Sequence, residues 1–278
     1  IIVGTFEGSI YGGGASAIMA MFQVLAIVGL FCAWRERLIG AGLFGGLLLL
    51  TVLPLGLGET KVVLILIPVV LAFAFYDTVA RRPLAFLGGA LATVVVGAVL
   101  GYFYFLVQVS GEMSLAENLS DTFAYNFGQR GYYGTGVNRL TAVPYWFEQQ
   151  SWAQPLRALF GWGLGSSYGA DGRVPLAGHL FVAHAGQFID LLATSLILWD
   201  FGVVGALLFF GMMVSGGFAA MRNLNEAQTA WDRTLCRILL GSLGASLLMS
   251  AYSASIIVLV SHSFILSLTL GLIAWRAR

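Results

Sequence analysis

Charge is what this chain has least of. Asp, Glu, Lys and Arg make up 10% of its 278 residues, against 59% hydrophobic residues and a mean hydropathy of +0.88. A soluble domain of that composition would expose aggregating surface, whereas a bilayer accepts it. Neither sign prevails, since 14 Lys and Arg face 13 Asp and Glu. A net charge of +1 excludes both the basic footprint of a nucleic-acid binder and the polybasic patch of a membrane-surface protein. Lys61 is the only lysine. No Asp-x-Asp pair, internal repeat or low-complexity tract occurs, and the 2 cysteines, Cys32 and Cys236, show no metal-ligand spacing. The sequence opens on Ile1 without a charged start and cleavable apolar segment, which leads us to expect further sequence before it.

What is present is long apolar runs. A hydrocarbon core about 30 Å thick needs about 17 to 25 apolar residues. About seven such runs occur, near Ala15 to Ala33, Leu38 to Leu57, Val62 to Val79, Leu84 to Val107, Phe201 to Ala220, Leu235 to Ala251 and Ile256 to Trp275. They are apolar on all faces, which predicts helices rather than barrel strands and an all-α, polytopic membrane fold. Arg35 and Arg37, Arg81 and Arg82, then Arg222, Arg233 and Arg237, and finally Arg276 and Arg278 occupy alternate short connections, which assigns those connections to the cytoplasm. Both cysteines fall near that side, where a disulfide is not expected. The expected organisation is four helices in 1–107, a large outer loop in 108–186, and three helices in 187–278 preceded by an interfacial helix.

Most of the remaining polarity lies in that loop. Gly111 to Tyr133 mixes carboxylates, amides and Arg130 with five aromatic residues, which suits an ordered cap facing water and sugars. From Arg139, the spacing of Leu140, Val143, Trp146, Phe147 and Gln150 predicts an amphipathic helix lying on the membrane and stopped by Pro155. Gly161, Gly163 and Gly165 follow as a turn where backbone can approach a ligand.

Three groupings compete for chemistry here. Arg139, His184 and Lys61 would suit a phosphate-bearing substrate, since arginine binds phosphate bidentately and lysine as a point charge; the alternative is a snorkelling lysine and a loop-capping arginine. Gly165-Ser166-Ser167-Tyr168-Gly169 fits the G-x-S-x-G pattern, with His184 or His262 as base, but lacks the expected strand-to-helix elbow. Asp77, Asp190, Asp200 and His262 outline an ion path, although Asp200 also suits a helix start. Gly97 and Gly101 form a small-xxx-small pair that reads as helix packing.

Gly4-Thr5-Phe6, Gly58-Glu59-Thr60-Lys61, Asn138-Arg139-Leu140 ahead of Trp146, Pro155-Leu156, Gly161-Trp162-Gly163-Leu164-Gly165-Ser166, and His184 leading into Gln187-Phe188 and Leu191-Leu192-Ala193 occur in that order. In that order they resemble the O-antigen ligase and polysaccharide polymerase family. The resemblance runs from Gly4 to about Phe210, while the last two helices match in hydropathy alone. It implies a bacterial inner-membrane glycosyltransferase, its large loop periplasmic, that moves a glycan from undecaprenyl pyrophosphate to an acceptor sugar hydroxyl. Residue by residue, it implies that Arg139 contacts the lipid pyrophosphate together with Lys61 and Arg130, and that His184 activates the acceptor. Lys61 stands where many members carry arginine, and Ala185 where many carry Asn or Ser. The Gly-Glu-Thr-Lys variant resembles exopolysaccharide polymerases more than lipid A core ligases.

Chemically, pyrophosphate is already an activated leaving group, so cations that neutralise its charge and a neutral imidazole that accepts the hydroxyl proton suffice. Attack opposite the leaving group inverts the anomeric centre. No metal or other cofactor is expected, and no nucleic acid. The expected partners are the lipid-linked donor, a glycan or lipid-linked acceptor, and membrane lipids. The alternative is a transporter or flippase of lipid-linked saccharide, which usually shows repeats and unwound helices.

Overall fold

The computed structural model describes residues 15–57, 61–84, 86–89, 91, 95, 128, 136–150, 154–169 and 177–277. The described residues contain helices and no strand. In chain order the helices are α1 (Ala15–Arg35), α2 (Ala41–Leu57), α3 (Lys61–Ala74), α4 (Tyr76–Arg81), α5 (Ala142–Gln149), α6 (Pro155–Phe160), α7 (His179–Ala183), α8 (Ala193–Glu226), α9 (Ala230–Tyr252), α10 (Ser255–Val258) and α11 (Val260–Arg276).

Two of them, α8 and α9, are long and apolar enough to cross a membrane, and Met21–Arg35, Ala41–Val52 and Val260–Arg276 are shorter apolar helices. The expected seven spans therefore do not all appear as long helices among the described residues. The run Leu84 to Val107 lies mostly outside those residues, and Gly97 and Gly101 lie outside them altogether.

Three runs differ from expectation for identifiable reasons. The run Val62 to Val79 divides at Phe75 (φ −117°, ψ 33°) into α3 and α4, and Arg237 Nη1 donates to the Ala74 carbonyl at the break, at 3.1 Å. Leu259, in extended conformation (φ −93°, ψ 120°), separates α10 from α11. The helix expected to begin near Phe201 begins at Ala193 and is interrupted at Gly202 (φ 67°, ψ −165°), a conformation that L side chains rarely adopt. A Cβ at Gly202 would lie 2.4 Å from the Leu159 carbonyl oxygen, so close backbone approach requires glycine there.

The chain forms two compact units. One comprises Ile1–Ser110, Met213–Leu248 and Leu259–Arg278, the other Gly111–Met212 and Met249–Val258. In the first, α1 packs on α2 and α3, and α11 touches α1. A Cβ at Gly241 of α9 would stand 2.9 Å from the Val28 side chain, and one at Gly244 2.6 Å from the Phe73 ring, so α9 lies close to α1 and α3.

Ion pairs join the helix ends at one end of this unit. Buried Arg237 meets Asp77 at 2.8 Å and Glu36 at 3.7 Å, which compensates a guanidinium that would be costly to bury alone. Arg233 pairs with Glu36 at 2.7 Å, Arg35 with Asp77 at 3.1 Å and Arg276 with Asp232 at 2.6 Å. Arg222 reaches the Ala277 carbonyl at 3.3 Å, and the Tyr76 hydroxyl bonds Asn225 at 3.3 Å. The ends of α1, α8 and α11 and the starts of α4 and α9 are thus gathered together.

In the second unit, Trp146, Leu180, Ile189, Leu198 and Trp199 form one core cluster, and Val137, Ala142 and Leu192 another. The start of α8 is tied to the end of α9 by Thr194 Oγ1 donating to Ser250 O at 3.0 Å and by Ala193 N donating to Ser253 O at 3.2 Å. The expected amphipathic helix is α5, but it does not present one aromatic face outward. Trp146 is buried and Val143 packs on the core, while Leu140 and Phe147 stay exposed. Pro155 does not stop this helix: α5 ends at Gln149, and Pro155 opens α6 from the position where its missing N–H costs nothing.

Candidate active site

Arg139 is held by the turn that starts α5. Buried Asn138 Oδ1 accepts from the Leu140 and Thr141 amides, each at 2.9 Å, and Thr141 Oγ1 accepts from Asn138 N at 2.8 Å. These reciprocal bonds, with Asn138 Nδ2 donating to the Gly128 carbonyl, fix the turn that leads into α5. Arg139 then projects to the last residue of α9. Its Nε donates to the Tyr252 carbonyl at 2.9 Å, and its guanidinium carbon stands 4.1 Å over the Tyr252 ring. A cation suits the negative end of a helix dipole and the face of an aromatic ring, so one edge and one face of Arg139 have a structural use.

His184 caps α7 (φ −107°, ψ 37°), with its amide donating to Leu180 O at 2.9 Å. Its Nδ1 and the Tyr145 hydroxyl are 2.9 Å apart, and its ring lies 5.0 Å from that of Trp199. Burial pushes the imidazole below its usual pKa, because the charged form loses hydration. Burial and then the Glu148 charge push the Tyr145 phenol up. Both shifts favour the neutral form of the group. When Nδ1–H donates to the phenol oxygen, the lone pair is left on Nε2, the form a general base requires.

Backbone pairing links the segments carrying these two residues. Val137 N donates to Gln187 O at 3.0 Å, and Gln187 N to His184 O at 3.0 Å. Gly136 fits flush here, since a Cβ would stand 2.6 Å from the Phe188 ring and 3.1 Å from Gly186 O. Phe188 adopts a left-handed conformation (φ 52°), which costs a bulky residue roughly 1 to 2 kcal/mol and persists only where its surroundings impose it.

The glycine-rich turn packs on α8. Trp162 N donates to Trp199 O at 3.0 Å and Gly163 N to Asp200 O at 2.9 Å; a Cβ at Gly161 (φ 74°) would lie 2.3 Å from Asp200 O. The buried Asp200 side chain accepts four bonds: from Gly165 N at 2.6 Å, Ser166 Oγ at 2.9 Å, Ser167 N at 3.0 Å and Ser167 Oγ at 2.7 Å. Ser167, the central serine of the G-x-S-x-G pattern, is thus a fully buried donor to a carboxylate, as is its neighbour Ser166, and not an exposed nucleophile, which counts against that alternative. The turn also holds α7, because Leu180 N donates to Ser166 O at 2.9 Å and Gly178 N to Tyr168 O at 2.8 Å.

The proposed ion path is engaged elsewhere. Asp77 lies in the ion-pair cluster, Asp190 accepts from Gly169 N at 3.1 Å with its pKa raised by burial, and His262 is fully buried on α11. No grouping of metal-ligating side chains occurs among the described residues.

The second unit therefore holds Arg139 and His184 on paired segments. Lys61 heads α3 in the first unit, with its side chain outside the described residues, and Arg130 lies outside them altogether. No sequence pattern pointed to Tyr145 as the imidazole's partner, because the two residues are 39 apart. The Asp200 cradle had a signal: a carboxylate in an apolar run, and elsewhere a glycine-serine turn rich in donors. Compared with known proteins, the chain matches no family model, no curated protein and no solved structure.

Proposed function

We propose that this protein is a multi-pass bacterial inner-membrane glycosyltransferase that moves a glycan from undecaprenyl pyrophosphate to an acceptor sugar hydroxyl. Polymer extension comes ahead of ligation to a lipid core, and the 108–186 loop is taken as periplasmic. The observation that carries the reading is a half-buried imidazole, hydrogen-bonded at Nδ1 and held on a segment that pairs with the turn bearing Arg139, with burial favouring its neutral form. In this reading His184 Nε2 accepts the proton of the attacking hydroxyl. The terminal nitrogens of Arg139 neutralise charge on the departing pyrophosphate. The new glycosidic bond forms as the anomeric carbon–phosphate oxygen bond breaks, with inversion. Lys61 and Arg130 keep the pyrophosphate-binding role that the resemblance implies.

Two membrane-length helices and the gathering of the arginine-bearing helix ends support membrane placement and the sidedness drawn from the charge pattern. About seven spans remain part of the proposal.

A second reading, a transporter or flippase of lipid-linked saccharide, draws on the interruptions at Gly202 and Leu259, since transporters bind substrate at broken helices. At Gly202 the break is filled by the Leu159–Gly161 backbone, which favours transfer over transport. Incubating the purified protein with a lipid-linked oligosaccharide separates the two: new glycosidic linkages support the transferase, and translocation across a vesicle without bond formation supports the transporter.

A further inference from the structure

In the second unit, α6 and the turn after it expose large apolar side chains. Leu156 is 69% exposed, Phe160 61% and Leu164 81%. Leu156, Leu159 and Phe160 fall at i, i+3 and i+4, so they share one face of α6, while Ala158 is buried on the protein side. Arg157 lies 3.8 Å over the ring of half-exposed Trp162. The exposed side chains of Leu164, Phe201, Ile257 and Val258 border one shallow groove of about 240 Å³.

We infer that this face is seated in the headgroup–acyl boundary of a lipid bilayer, with Leu156, Phe160 and Leu164 in the acyl region and Arg157 at the phosphates. The inference goes beyond the catalytic reading and uses only its placement of α8 in the membrane. Position carries it first: the turn is bonded to Trp199 and Asp200, immediately before the interruption at Gly202. From Val203 to Glu226, α8 runs roughly 36 Å at 1.5 Å per residue, enough for the hydrocarbon. The turn therefore sits where the span begins. Chemistry carries it second: tryptophan is favoured at that depth, and an arginine beside it keeps its charge at the phosphates while its stem stays in apolar surroundings. The groove between Leu164 and Val258 continues the apolar face and accommodates part of an acyl chain.

The test uses the full chain with Cys32 and Cys236 replaced by alanine, spin-labelled singly through Leu156→Cys, Leu164→Cys or, as a reference on α8, Leu207→Cys, in phosphatidylglycerol-containing nanodiscs. Collision with oxygen should exceed collision with a water-soluble nickel chelate at 156 and 164, at a depth of about 5 to 10 Å, and the label at 207 should lie deeper. Chelate collision prevailing at 156 and 164 with 207 in lipid overturns the inference, as does shielding from both quenchers, which would mean that a second copy covers the face. Chelate access at 207 overturns the span itself. A second measurement needs no cysteine variant: brominated lipids should quench the unmodified chain more than Trp162→Phe, and equal quenching contradicts the inference.

Discussion

Removing the Asp200 carboxylate should loosen the turn that holds α7, and with it His184. The carboxylate accepts two backbone amides and two hydroxyls, so Asp200→Ala leaves four donors without an acceptor. The serine hydroxyls can turn to other partners, but the amides of Gly165 and Ser167 cannot. At about 1 to 3 kcal/mol for each buried donor left unsatisfied, the two amides alone cost about 3 kcal/mol at the lower middle of that range. Asp200→Asn is milder. Its oxygen can keep the three bonds made to Oδ1, and only the Gly165 amide then faces an N–H, for about 1 to 3 kcal/mol. The cost is local, because Leu180 N bonds Ser166 O and His184 N bonds Leu180 O, in one series from Asp200 to the imidazole. Hydrogen exchange of peptides from 161–169 and 178–184, in detergent or nanodiscs, should speed up about 100-fold in Asp200→Ala, since every 1.4 kcal/mol is tenfold. Asp200→Asn should fall between it and the unsubstituted chain. Exchange in Asp200→Ala equal to that of the unsubstituted chain would refute the argument that this carboxylate organises the turn.

The remaining predictions concern chemistry and topology. His184→Ala should lower glycan transfer by about 10² to 10⁴ with little change in donor binding; an inactive His179→Ala beside an active His184→Ala would move the base to the other histidine. Because burial lowers the His184 pKa, its neutral form persists below the usual imidazole range, so the acid limb of the pH–rate profile should fall below about pH 6.5. The same sign makes the His184 contribution to stability present at higher pH and lost as pH falls through that range. Arg139→Lys removes the planar contact with Tyr252 and any bidentate grip on phosphate, and should lower turnover about 30-fold to 1000-fold; near-normal turnover would leave Arg139 a structural cap of α9. Cysteines at Asn118 and Ser151 should react with an impermeant thiol reagent from outside intact cells and one at Asn225 should not, and the opposite pattern would invert the topology.

Local sequence foresaw that the described residues are helical but neither the lengths of the helices nor their interruptions. Apolar runs longer than a strand, polar on no face, left helix as the only way to satisfy the backbone in hydrocarbon. The break at Phe75 involves no proline or glycine of its own; Arg237 receives the freed Ala74 carbonyl from 163 residues away. Gly202 is one of 36 glycines, and what marks it is the backbone of Leu159 and Gly161 pressing against it. In the site, the type and order of residues pointed to Arg139 and His184, whereas Tyr145 became visible only through the fold. Asp200 was expected to complement a helix dipole, and it does something else: it accepts four bonds from the turn that sequence had treated as open to ligands.

The most direct test of the central claim is product analysis with purified protein and an undecaprenyl-pyrophosphate-linked oligosaccharide in detergent or nanodiscs. Donor and acceptor should combine into a longer glycan with an inverted anomeric linkage, releasing undecaprenyl pyrophosphate, and His184→Ala should abolish the product in a folded protein. Donor left intact, or moved across a vesicle with no new linkage formed, would contradict the claim.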